Sequence, residues 1–338
     1  MYFVRTAGLG ALVAFASLVV APGARAHHGG PVSRVGAPSA PLGARLHGVT
    51  PAPRVDLGIG YGATYFDRTY EGDSPYALGS LGSVLVHVVS LDGGVTLGSG
   101  TTLSATLPAG VVESDAPDGA RRSESGLGDL SFRVSQDLAA LWDPSDDRSV
   151  ALELRVGAVA PTGRYDRTAA LTVLGLQAGP GGALSPTTYD ARASLGAGAW
   201  SLSGGARVVG RVAPGLGLEA GVGVVAPVED TPDDIRWGAD LTAHVGATLD
   251  LAGGALAVSL GADARAHAAD EIPFVDGAVH EAGARTELGL QLGVFARPVD
   301  TLSCGLRAHV PVYQRVDGVQ LVETVSVSLA CGVGVALD

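Results

Sequence analysis

From Arg54 to Asp338, about a dozen segments place apolar residues at every second position and small or polar residues between them. The C-terminal segment is the clearest. Leu321, Val325, Val327, Leu329, Cys331, Val333, Val335 and Leu337 share one parity, and Thr324, Ser326, Ser328, Ala330, Gly332, Gly334 and Ala336 share the other. Successive side chains of a β-strand point to opposite faces, so such a segment has one greasy face and one small, polar face. An exported chain in which nearly every strand reads this way is best satisfied by a closed barrel, greasy side in lipid and polar side around a lumen.

The export signal is read from Arg5, the apolar run Leu12–Val20 and the small-x-small site Ala24-Arg25-Ala26. Residues 1–26 are therefore expected to be a cleaved signal peptide, residues 27–53 a Pro/Gly-rich arm or plug, and residues 54–338 the barrel. Beyond the signal there is no apolar stretch of the roughly 18 residues that a transmembrane helix needs. Apolar residues make up 46% of the chain and the mean hydropathy is +0.30. That is high for a water-soluble antiparallel sheet, which must show a polar face to solvent. The net charge of −12, together with export, excludes nucleic acid as a partner.

The fold class expected is all-β: an antiparallel up-and-down transmembrane β-barrel of about 12 strands in the bacterial outer membrane. The strands read as residues 54–67, 76–91, 95–112, 126–141, 149–160, 190–212, 216–227, 235–250, 255–267, 285–297, 301–313 and 320–337. Connections at Asp92-Gly93-Gly94, Trp142–Arg148, Ala213-Pro214-Gly215, Leu251–Gly254 and Pro298-Val299-Asp300 are tight. Those at 68–75, 113–125, 161–189, 228–234 and 268–284 are longer and mostly acidic, and the turn at Asp317-Gly318 is short. Short periplasmic turns, longer external loops and an even strand number are the pattern of outer-membrane barrels.

Side-chain parity assigns the faces. Leu130, Phe132, Val134, Leu138, Val150, Leu152, Leu154, Val156, Trp237, Leu241, Val245, Leu256, Val258, Leu260, Leu288, Leu290, Leu292 and Val294 are expected toward lipid. The lumen is then lined by Asp129, Arg133, Glu153, Arg155, Arg236, Asp240, His244, Asp263, Arg265, Arg285, Glu287, Arg307 and His309. Mid-strand charges fall on the inner face, as they must where an Arg on the lipid face costs roughly 2–4 kcal/mol. They either pair across the lumen and fill it or line a selective path. Residues 76–91 read least clearly, since Val84–Val89 is apolar on both parities around His87. Tyr61, Tyr65, Tyr76, Trp142, Trp237 and Tyr313 are the candidates for an interfacial aromatic girdle.

No G-x-S-x-G elbow and no glycine-rich phosphate loop preceding a helix occurs, so the chain is expected not to be an enzyme and to carry no cofactor. No ligand spacing along the chain matches a closed metal site. Lipid, lipopolysaccharide and an unidentified small solute are the partners expected. The two cysteines are a disulfide candidate. A two-residue hairpin at Asp317-Gly318 sets Cys304 opposite Cys331, as a hydrogen-bonded pair with Cα atoms about 5.5 Å apart.

Gly126-Leu127-Gly128-Asp129-Leu130 entering a strand, Pro161-Thr162-Gly163 closing the next, and the mature start His27-His28-Gly29-Gly30 are similar to motifs of a known family. The chain resembles the outer-membrane channel proteins associated with the meta pathway of phenol degradation. The resemblance implies a barrel for passive uptake of small aromatic or hydrophobic compounds. The alternative is a sealed structural or adhesive barrel meeting lipopolysaccharide through its acidic loops.

Overall fold

The computed structural model describes residues 53–77, 82–115, 119, 121–141, 149–165, 177–178, 184–185, 195–251, 254–273, 279–282, 284–299, 301–317 and 319–337. The expected signal peptide and all but the last residue of the arm lie outside them. Twelve antiparallel strands form one wall, each paired with its sequence neighbour, and the last pairs with the first to close it. They are β1 (Arg54–Glu71), β2 (Ser83–Thr96), β3 (Thr101–Asp115), β4 (in two pieces, Arg121–Leu127 and Leu130–Asp137), β5 (Val150–Ala160), β6 (Ser201–Ala213), β7 (Leu216–Pro227), β8 (Asp240–Asp250), β9 (Leu256–His267), β10 (Arg285–Val299), β11 (Leu302–Val316) and β12 (Val319–Ala336). Closure leaves no free edge, which is what permits strands to cross lipid. Among the described residues no helix is long and apolar enough to cross a membrane.

The outer surface carries the apolar parity. Leu57, Ile59, Leu91, Leu103, Phe132, Val156, Leu202, Leu241, Leu260, Leu290, Leu292, Leu306, Leu329 and Val333 are all exposed large hydrophobics. On a soluble protein so continuous a patch would drive association; here it meets hydrocarbon. The two strand termini pair at one rim, Arg54 with Ala336, so that rim holds the short turns. The turns at Pro214-Gly215 and between β8 and β9 fall as expected, with left-handed backbone at Gly215 (φ 74°) and Gly254 (φ 89°). Trp142–Arg148 lies outside the described residues.

Several boundaries differ, two of them with a structural consequence. Asp92-Gly93-Gly94 is not a turn but part of β2, paired with Gly58, Leu57 and Asp56. The Asp92 carboxylate accepts hydrogen bonds from Ser90 Oγ (3.1 Å) and Thr106 Oγ1 (2.6 Å), which ties it into the wall. The turn itself lies at 97–100, where Gly100 has φ 79°. Residues 235–239 also stay outside the wall. Arg236 pairs with Glu271 instead, and a Cβ on Gly238 would sit 1.4 Å from the Ala268 carbonyl oxygen.

Bulges divide several strands. Gly128 and Asp129 interrupt β4, and a register shift falls between Leu288 and Gly289 on β10, opposite Tyr313 and Pro311. Two more fall where β1 meets β12. Asp67 and Thr324 are each left out of that ladder, and Thr324 Oγ1 donates to Asp67 Oδ1. β11 and β12 pair only from Leu302↔Val333 to His309↔Ser326. Above that, Val316 N donates to Gly72 O and Asp317 N to Ala284 O, so the strands diverge.

Cys304 and Cys331 are paired in register and disulfide-bonded, with Cα atoms 4.1 Å apart. The expected 5.5 Å is corrected for a topological reason. Gly334 N donates to Thr301 O, which phases this ladder so that the cysteines form the close, non-hydrogen-bonded pair. Among the described residues this ladder ends at His309↔Ser326, so its phase is not carried down from the turn after Val316.

Candidate functional site

The inner wall has two unlike sectors. On β2, the even residues Val84, Val86 and Val88 turn inward, and Val86 is 0% exposed. They cluster with Val112 of β3, Leu321 of β12 and Leu195 from an external segment, with Phe66 of β1 packed against them. Each such burial is worth roughly 1.5–3 kcal/mol. The ambiguous strand is thereby explained: both its faces are apolar because one meets lipid and the other an apolar part of the lumen. His87, on the outer parity, is satisfied locally by Tyr61, its Nδ1 2.8 Å from the phenolic oxygen.

The other sector is charged. On β6–β8, Arg207 meets Glu219 at 3.0 Å, and His244 Nε2 lies 3.9 Å from the same carboxylate. Arg155 lies across the glycines of the neighbouring strands; a Cβ on Gly205 would stand 2.7 Å from its Nε. On β9–β12, Asp263, Glu287, His309, Glu323 and Gln314 are buried around Arg265. Arg265 Nε donates to Asp263 Oδ2 (2.8 Å), and its Nη1 lies 3.5 Å from Glu287 Oε1 and 3.4 Å from Glu323 Oε2. His309 Nδ1 stands 2.7 Å from Glu323 Oε1, and Gln314 Nε2 donates to Glu287 Oε2 (2.9 Å). Nearer the external rim, His267 joins Asp240 (2.5 Å) and Asp270 (3.5 Å).

External segments fold over one end of this lumen and are stapled there by Asp129. Its buried carboxylate accepts from Gly163 N (2.9 Å) and Ala197 N (2.7 Å). Thr162 Oγ1 accepts from Leu130 N (2.9 Å) and donates to Gly128 O (3.3 Å). The Gly126–Leu130 and Pro161–Gly163 motifs are thus two halves of one joint. Its glycines are needed, since a Cβ on Gly163 would lie 2.9 Å from Gly196 Cα. Trp237 Nε1 donates to Ala197 O (2.7 Å), adding a third loop to the cap.

Among the expected lumen residues, Asp263, Arg265, Glu287 and His309 come together, and Glu153, Arg155, His244 and Arg307 occupy inner-wall positions. Arg133 stands exposed on the same face, while Asp129, Asp240 and Arg285 lie toward the capped end. Arg236 is corrected: its side chain is 60% exposed in an external loop, paired with Asp230 (2.8 Å) and Glu271 (3.7 Å). The hydrogen bond to Asp230, and then the charges of both carboxylates, raise its pKa. Trp237 is neither lipid-facing nor a girdle residue, being 3% exposed inside the cap. Leu321, expected toward lipid, belongs to the apolar inner cluster because the bulge at Thr324 reverses parity. Sequence parity missed Glu323 and Gln314 for the same kind of reason. It missed Leu195 because the strand expected over 190–212 begins only at Ser201, which leaves Leu195 in an external segment.

The family described as "Putative MetA-pathway of phenol degradation" matches residues 66–320. The chain is similar in structure to the COG4313 outer membrane channel from Pseudomonas putida F1, with a TM-score of 0.67 at 15% identity over 86% of this chain and 98% of that one. More distant are the CymD monoaromatic hydrocarbon channel (TM-score 0.40, 9% identity, 91% of this chain and 98% of that one) and the translocator domain of autotransporter NalP from Neisseria meningitidis (0.40, 13%, 83% and 88%). No curated protein matches the sequence. At such identities the first likeness establishes the fold, that of an outer-membrane β-barrel.

Proposed function

This chain belongs to the phenol-degradation pathway family that matches its residues 66–320, and from that premise we propose that it is a passive outer-membrane channel for small hydrophobic solutes, monoaromatic compounds among them. The observation that carries this reading is the divided lumen. A wall meant only for water-soluble solutes has no use for Val84, Val86, Val88, Val112, Leu321 and Phe66 on its inner side. An apolar solute that takes the place of Leu195 on this strip gains about 25 cal/mol per Å² of apolar surface it covers. The charged sector opposite keeps the rest of the lumen polar and braces the wall.

Uptake of radiolabelled toluene tests it, in cells of a host whose own hydrocarbon channels are deleted. Expression of the protein should speed uptake several-fold over the empty vector. Val86→Glu together with Val112→Glu, confirmed as folded, should return it toward the vector rate. Uptake no faster than the vector with the unaltered protein would overturn the reading and favour a sealed barrel.

A further inference from the structure

We propose that Asp263, Glu287 and His309 form a binding site for a divalent transition-metal ion, zinc or a first-row neighbour, on the inner wall. Asp263 Oδ1 and His309 Nε2 are 3.2 Å apart, and His309 Nε2 and Glu287 Oε1 are 3.9 Å apart. All three atoms lie within 4.8 Å of one another. A tetrahedral ion with ligand bonds of about 2.0–2.2 Å sets its donors roughly 3.4 Å apart, so small side-chain movements close the set.

The surroundings hold each ligand as a metal site requires. Glu287 is 0% exposed, yet its Oε1 has no hydrogen-bond partner, and neither has His309 Nε2. Both atoms point into the same cluster. The remaining atom of each ligand is fixed from behind. Glu323 Oε1 holds His309 Nδ1, Gln314 Nε2 holds Glu287 Oε2, and Arg265 Nε holds Asp263 Oδ2. Gln291 Nε2 also donates to Asp263 Oδ1 at 2.8 Å, which leaves that oxygen a second lone pair. A carboxylate behind the imidazole of a ligating histidine is the usual outer arrangement of such centres. Gly289 makes room for the ring: a Cβ there would sit 1.9 Å from His309 Nε2.

Charge points the same way. Asp263, Glu287 and Glu323 carry three negative charges, and Arg265 carries one positive charge. The excess of negative charge persists whether or not the His309 imidazole carries a proton, and a metal ion bound there would displace that proton. Arg265 Nη1, 3.5 Å from Glu287 Oε1, is the present partial counter-ion. One imidazole with two carboxylates suits zinc, cobalt, nickel or manganese better than calcium or magnesium. Asp263, Glu287 and His309 come from β9, β10 and β11, which is why no spacing along the chain announces them.

The test uses the purified full mature chain in detergent, without a polyhistidine tag and with His27→Ala and His28→Ala to remove a competing terminal site. Co²⁺ titration followed by visible absorption, and Zn²⁺ equilibrium dialysis, should each give one saturable equivalent. Paramagnetically shifted imidazole resonances should report a histidine ligand to Co²⁺. Glu287→Gln should weaken binding at least tenfold while remaining heat-modifiable on gels, and Gln314→Ala should weaken it about 10–100-fold. Absence of a saturable equivalent or of the imidazole signature in the otherwise unaltered chain would overturn the proposal. So would equal affinity in folded Glu287→Gln.

Discussion

Neighbouring residues on one strand have opposite obligations in this molecule. On β9, Leu260 is 63% exposed on the outer face, whereas Ser259 is half-buried inside, beside Gly293. Leu260→Arg should cost about 2–4 kcal/mol if it lies near the bilayer midplane and should sharply lower the yield of the heat-shifted folded band. Ser259→Arg should be the milder change, since its head faces a polar lumen; equal losses would mean the parity is wrong. Asp129 works differently, as a buried carboxylate committed to two loop amides. Asp129→Ala leaves Gly163 N and Ala197 N without that acceptor, costing roughly 1–3 kcal/mol for each donor left buried and unpaired. The expected result is faster proteolysis within the external segments of intact cells, with the barrel itself retained. Unchanged cleavage would remove Asp129 as the staple of the cap.

Elements show how far a period of two can be read and where it stops. Strands such as β9 follow strict alternation through the membrane, and the face of Leu256, Leu260, Asp263 and Arg265 was legible in the sequence. A bulge ends that legibility, because one extra residue turns every later side chain to the other face. The bulge at Val312 brings Gln314 inside, and the one at Thr324 brings in Glu323 and Leu321; no local turn chemistry announces either. Two of the polar residues that orient the buried carboxylates and histidine were therefore invisible to parity. Trp237 and Arg236 were misplaced because Arg236 pairs with Glu271 and residues 235–239 do not continue β8. The Cys304–Cys331 bridge was legible through register, though not in its spacing. It closes the β11–β12 pair just where the ladder is continuous, below the point of divergence. Cys304→Ser with Cys331→Ser should lower resistance to guanidinium by about 2–4 kcal/mol while leaving the heat shift intact. Non-reducing mass mapping that finds two free thiols would contradict the bridge.

The whole molecule is a closed wall with three environments. Lipid lies outside, an apolar strip runs along β2, β3 and the upper part of β12, and a charged sector spans β6–β12. Closure was implied by alternation in nearly every strand together with the expected export signal. The division of the lumen was not, because an apolar inner face and an apolar outer face look alike in sequence. The central claim is that side-chain parity sets which positions meet lipid and which meet the lumen. Spin labels placed singly at residues 256–264 of β9, in a cysteine-free background reconstituted in bilayers, test it most directly. Accessibility to membrane-dissolved oxygen should peak at 256, 258, 260 and 262, and accessibility to an aqueous nickel chelate should dominate at 257, 259, 261 and 263. Uniform aqueous accessibility along the strand, or oxygen maxima at the odd positions, would contradict the account.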